Sequence, residues 1–230
     1  MPKTKGHAGL AIQHAPVIVE VSGAHLEGLL SVPTDARGVV LFAHGSGSSH
    51  RSPRNRSVAD VLNEGGLATL LIDLLTNDEQ QVDLQTAHLR FDIPFLTGRL
   101  LAATDWLRAS PDAGSLPIGY FGASTGAAAA LRAAAERPEF VRAVVSRGGR
   151  PDLAHDALPR VSAPALLIVG GLDAAVIELN RVALAQMHCR TELVIVPEAT
   201  HLFEEPGALE QVAMPARDWF AKWLPAIAKH

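Results

Sequence analysis

Gly119-Tyr120-Phe121-Gly122-Ala123-Ser124-Thr125-Gly126 joins two runs of opposite character, and its reading decides the fold. Leu116 to Phe121 is an apolar run of the length of a short buried strand, and Ala127 to Ala135 is an almost unbroken series of strong helix formers. Between them sits Gly-x-Ser-x-Gly, Gly122 to Gly126. A serine on such a strand-to-helix turn is held in a strained conformation that lifts its hydroxyl out of the sheet. The glycines on either side are needed because side chains there would strike the neighbouring strand and helix. The helix that follows aims unpaired N–H groups and the positive end of its dipole at any oxyanion formed beside the serine. Ser124 therefore reads as a nucleophile. The plainer alternative is a serine that only caps the helix.

Working outward, Pro16 to Val21 and His25 to Val32 read as strands joined at Ser22-Gly23, an antiparallel hairpin at the edge of a sheet. Gly38 to Ala43 is fully apolar, as strands buried on both faces are, and Leu67 to Ile72 reads as the next buried strand. Ser52-Pro53 opens a helix as N-cap and first residue, and Gly65-Gly66 closes it. Thr76 to Arg90 is a long polar connection and the expected rim of a site. Ile93, Leu96, Leu100, Ala103 and Leu107 form one face of a helix that stops before Pro111. Further strands are expected at Arg142 to Ser146, Ala165 to Gly170 and Glu192 to Val196. Helices are expected through Ile177 to Met187 and over Gly207 to Leu224, the last kinked or split by Pro215. This alternation implies a mostly parallel sheet with helices on both faces. Residues 1–14 read as a loosely held lead-in and residues 15–230 as a single domain.

The chain of 230 residues is 48% hydrophobic and 19% charged, enough apolar material for a substantial core. A net charge of −4 argues against nucleic acid or an anionic membrane as main partner. The lone Cys189 excludes an internal disulfide and fits a reducing compartment. With neither an apolar leader nor a run of 18 apolar residues, the expectation is a cytoplasmic protein, a monomer or homodimer. No spacing of His, Cys and carboxylates suggests a metal site, and the chemistry below requires no cofactor.

A serine hydroxyl needs a histidine to take its proton and a carboxylate to orient that histidine. In parallel sheets these groups lie at the carboxyl ends of strands. His201, after the strand ending at Val196, is the base by that rule. Asp173, behind Gly170-Gly171, is the acid, against an alternative in which it caps the next helix. Asp73 is the second candidate acid, but it precedes the serine and reads as structural, as does His44. The N–H of Thr125 can form one side of an oxyanion hole. The loop His44 to Gly47 can form the other, through Ser46 first and Gly47 second.

His44-Gly45-Ser46-Gly47-Ser48-Ser49, Gly122 to Gly126, Gly170-Gly171-Leu172-Asp173 and Ala199-Thr200-His201 together resemble the α/β-hydrolase fold. The short build resembles its dienelactone hydrolase-like family over nearly the whole chain from about residue 15. Ser52-Pro53-Arg54-Asn55, Asp73-Leu74-Leu75-Thr76, Arg90-Phe91-Asp92-Ile93 and Ser146 to Pro151 are similar to a bacterial subgroup, some of whose members are fused to phosphoribosyltransferase domains. The resemblance implies a hydrolase without a cap domain, since Arg147 to Ser162 is too short to build one. Dienelactone hydrolases proper carry a cysteine nucleophile. Ser124 in that position points instead to a serine carboxylesterase acting on a small-molecule ester.

Arg51, Arg54, Arg147 and Arg150 recur beside strand ends, where a guanidinium fork can hold a substrate carboxylate or phosphate. Alternatively they pin loops through Asp73, Asp78, Asp92 or Asp152. Rival readings of the whole are a thioesterase or lactone hydrolase using the same three residues, or a non-catalytic partner-binding domain that keeps the fold.

Overall fold

The computed structural model describes residues 11–45 and 47–224. Strands β1 (Ile12–Val21) and β2 (Ala24–Pro33) form the expected hairpin, paired from Ile12↔Pro33 to Val21↔Ala24. Its two-residue turn has φ of 48° at Ser22 and 81° at Gly23, the pair of positive values that matches the twist of a tight hairpin. β1 begins inside the stretch read as a lead-in, so Ile12 to His14 belong to the sheet. The rest of that lead-in up to residue 10 lies outside the described residues.

β3 (Val39–Ala43), β4 (Ala68–Ile72), β5 (Ile118–Ala123), β6 (Val141–Arg147), β7 (Ala165–Gly170) and β8 (Thr191–Val196) complete an eight-stranded sheet of order β1-β2-β4-β3-β5-β6-β7-β8. The hairpin joins β4 antiparallel, and all pairings from β4 to β8 are parallel. Parallel strands need helical crossovers, and these cover both faces. α1 (Pro53–Glu64) and α6 (Glu210–Trp223) lie on one face, where Val40, Phe42 and Phe121 meet Val58, Leu62 and Phe220. α3 (Ile93–Ala109) and α4 (Thr125–Glu136) lie on the other, over Leu41, Tyr120 and Val144. β3 and β5 are buried along their whole length, as their unbroken apolar sequence requires.

Two stretches differ from expectation. Thr76 to Arg90 is mostly helix, α2 (Asn77–Thr86), followed by a 3-10 turn at Leu89–Phe91. Thr76 accepts from the Glu79 amide while the Glu79 carboxylate accepts from the Thr76 amide, a reciprocal cap that starts the helix. α6 runs through Pro215 as one element. The missing N–H costs one ladder bond there, while Val212, Ala213, Ala216, Trp219 and Phe220 are all buried and hold the helix to the sheet. A 3-10 helix, Pro151–Arg160, links β6 to β7, and α5 (Ala174–Leu184) follows β7.

Candidate active site

Ser124 stands between β5 and α4 with φ 50° and ψ −122°, a positive-φ conformation strained for any side chain-bearing residue. The surrounding backbone imposes it. A Cβ on Gly122 would lie 2.4 Å from the Ala127 Cα, and one on Gly126 would lie 2.1 Å from the Ala43 carbonyl oxygen. The Ser124 hydroxyl makes no bond to the helix it precedes, so capping does not explain the residue. Thr125 opens α4 and is buried, and its N–H has no acceptor within the helix.

The loop after β3 presses against this turn. A Cβ on Gly45 would sit 2.8 Å from the Ser124 Cβ. The loop closes as a turn through Ser48 N–H to Gly45 O at 3.3 Å, with Gly47 at φ 67° and exposed. Ser46, the expected second oxyanion donor, lies outside the described residues. At one end of the loop His44 is buried. Leu74 N–H donates to its Nε2 at 3.1 Å, which leaves Nδ1 to donate to Gly45 O at 3.0 Å. At the other end His50 donates to Asp73 twice, from its amide at 2.5 Å and from Nδ1 at 2.8 Å. Asp73 is thus a bracket for the loop. His50, its main partner, is a residue that sequence reasoning missed: the contact spans 23 positions and no local pattern marks it.

On the other side, Asp173 ends the turn after β7 and makes no cap bond to α5. Its Oδ2 lies 2.6 Å from His201 Nδ1. The carboxylate can only accept, so Nδ1 carries the proton and Nε2 keeps its lone pair. The two loops are tied by backbone bonds, Gly171 N–H to Val196 O and Leu172 N–H to Ala199 O. Gly170 permits this, since a Cβ there would stand 2.4 Å from the Ala199 oxygen. The bridge toward Ser124 is the end of β6. Arg147 O accepts the Ser124 N–H at 3.2 Å, and a Cβ on the next residue, Gly148, would be 3.6 Å from His201 Cε1. Among the described residues no hydrogen bond joins the Ser124 hydroxyl to His201.

The four arginines separate. Arg150 grips Asp152 with two bonds of 2.9 and 2.8 Å, Arg54 meets Glu204 at 2.5 Å, and the exposed Arg51 meets Glu27 at 3.1 Å. Arg147 is only 9% exposed and has no carboxylate partner among the described residues. Burial, with Arg54 nearby as a like charge, lowers its pKa to about 10. No group of three or more His, Cys, Asp or Glu among the described residues is placed to hold a metal ion, and no described helix is long and apolar enough to cross a membrane.

The model of the dienelactone hydrolase family matches residues 26–226. The chain is 61% identical to a dienelactone hydrolase from Anabaena variabilis of known crystal structure, with a TM-score of 0.90 over 92% of this chain and 98% of that one. Est1E from Butyrivibrio proteoclasticus shares the fold at 18% identity, with a TM-score of 0.77 over 91% and 98% of the two chains. A Mycobacterium tuberculosis protein that bears a phosphoribosyl transferase's name is 60% identical over 197 residues. Those residues are 86% of this chain but 44% of that relative, so the chain spans less than half its length.

Proposed function

Because the chain belongs to the dienelactone hydrolase family, we propose that it is a serine hydrolase that cleaves carboxylic esters through an acyl-enzyme. The observation that carries this reading is the Asp173–His201 hydrogen bond, set over the same sheet edge as a positive-φ Ser124 whose hydroxyl caps nothing. His201 Nε2 takes the Ser124 hydroxyl proton as the oxygen attacks the ester carbonyl. The Thr125 N–H and the Ser46 N–H hold the resulting oxyanion, with Gly47 beside them. His201 then gives its proton to the departing alcohol oxygen. Water repeats the sequence on the acyl-serine and releases the acid. Asp173 keeps Nδ1 protonated throughout and stabilises the imidazolium. Each oxyanion donor is worth about 2.7–4 kcal/mol in such a barrier.

A serine nucleophile where dienelactone hydrolases proper carry cysteine favours ordinary esters. Thioesters and lactones would use the same groups. The phosphoribosyl transferase name belongs to a relative more than twice the matched length, and neither the elbow nor the Asp173–His201 pair calls for a phosphoribosyl donor. Of the four candidate arginines, only Arg147 lacks a carboxylate partner among the described residues, so it is the one we retain as an anion contact. A lone, half-buried Cys189 supports a cytoplasmic setting.

A fluorophosphonate probe tests the reading. It should label the wild type and fail on Ser124→Ala. His201→Ala should lower turnover of p-nitrophenyl acetate by about 10²–10⁴-fold, the usual range for a lost general base. Full turnover by either variant would end this reading.

A further inference from the structure

A narrow cavity opens beside the oxyanion elements, on the side of the nucleophile away from His201. Thr125 and Gly45 form its inner wall, Leu74, Leu75 and Leu96 its apolar lining, and Leu84 of α2 stands at its roof. The sheet order fixes which part of an ester can enter it. His201 follows β8, which lies beyond β6 and β7 on one flank of β5. The cavity lies toward β4, on the opposite flank. The leaving oxygen must be protonated by His201 and therefore departs on the β8 side. With the carbonyl oxygen at Thr125, the group left pointing toward β4 is the acyl group.

Its size is the second observation. The cavity volume is about 20 Å³, and one water-sized sphere already needs about 10–15 Å³ on that scale. The roof is also fixed. Asp83, the buried residue of α2, accepts from Arg90 N–H at 3.0 Å and from Arg90 Nε at 2.6 Å, and Glu79 accepts from Arg99 at 2.6 Å. Burial alone would raise the Asp83 carboxyl, but the Arg90 bonds outweigh it and hold its pKa below the ordinary value. The pair therefore stays ionised across the neutral range.

We infer that this cavity is the acyl pocket, that it takes an acetyl-sized apolar group, and that Leu84 at its roof sets the limit. The assignment rests on the esterase reading above and names the substrate class of that same site: short-chain, acetyl-type esters. Leu84 suits the role of gate because it lines the cavity while 61% exposed, so truncating it opens the mouth without removing core packing.

The experiment is a chain-length series of p-nitrophenyl acetate, butyrate and hexanoate with the full chain, run beside fluorophosphonate labelling. The wild type should favour acetate over hexanoate by at least tenfold in kcat/KM. Leu84→Ala should raise the hexanoate-to-acetate ratio by at least tenfold, and Leu84→Trp should lower turnover of acetate itself. If Ser124 is labelled but the wild type takes hexanoate as readily as acetate, or Leu84→Ala leaves the ratio unmoved, the pocket assignment is overturned and the esterase reading stands. If Ser124 is not labelled, the esterase reading falls and takes the pocket with it.

Discussion

His44 closes β3 with a ring whose two nitrogens are both committed. Nε2 accepts from Leu74 N–H and Nδ1 donates to Gly45 O, so the neutral ring with its proton on Nδ1 is the only form that satisfies both bonds. A second proton would turn Nε2 into a donor facing another donor. Burial pushes the His44 pKa below its ordinary value of about 6.5, against smaller opposing pulls from the Gly45 carbonyl and Asp73. The sign follows from proton counting. Below pH 6.5 the unfolded chain protonates this histidine while the folded chain does not, so stability is full above that pH and falls as acid is added, until the folded pKa is passed. Glutamine can keep both bonds and cannot titrate. Thermal melts between pH 8 and 5 should therefore show wild type losing stability relative to His44→Gln, by at most about 1.4 kcal/mol per pH unit below 6.5. Parallel curves would mean that this ring does not govern the acid limb.

At the scale of the element, the loop His44 to His50 is bolted at both ends to the carboxyl end of β4, through Leu74 at one end and Asp73 at the other. These bonds fix both ends of the loop that presses against the Ser124 turn. Asp73→Asn replaces one acceptor oxygen with a donor amide and must lose one of the two His50 bonds. On the proposed esterase reading we expect kcat for p-nitrophenyl acetate to fall by roughly 10–10²-fold, the cost of a small misplacement of a donor in the proposed oxyanion hole, with KM little changed. A loss seen only in melting temperature would make Asp73 a structural residue and nothing more. Elements such as β3 and β7 were legible in the sequence because strands buried on both faces must be apolar throughout, and the elbow was legible because its glycines answer to steric contacts. The Asp173–His201 contact was reachable because strand ends in a parallel sheet converge. α2 was missed because a helix standing above the sheet is polar nearly all round and shows no apolar stripe, although Thr76 and Glu79 spelled its cap. Pro215 misled in the opposite sense, since burial of one helix face outweighed a single lost bond. The Asp73–His50 contact had no local signature at all, being made between two loops by tertiary packing.

Across the whole molecule the two ends of the sheet carry different duties. The carboxyl ends of β3, β5, β7 and β8 bear the strained and polar groups, while α6 is docked against the opposite ends of β3 and β5. Gaps left by two glycines receive it. A Cβ on Gly119 would lie 2.6 Å from the Phe220 ring, and one on Gly38 would lie 2.8 Å from the Leu224 Cβ. Phe220 is fully buried in the face shared with α1. Emptying that gap removes transfer free energy and leaves a cavity, so Phe220→Ala should cost about 3–5 kcal/mol. For a chain of this size that is a fall in melting temperature of roughly 6–20 °C, at about 2–4 °C per kcal/mol. Because Phe220 sits at the far end of β5 from Ser124, the protein that remains folded at 20 °C should keep the wild-type kcat and KM for p-nitrophenyl acetate. Stability and turnover measured on the same preparation separate the two. A variant that melts early yet turns over normally fits a sheet whose ends act independently. One that loses turnover in step with α6 packing would show that the proposed catalytic edge is held in place by the helix at its foot.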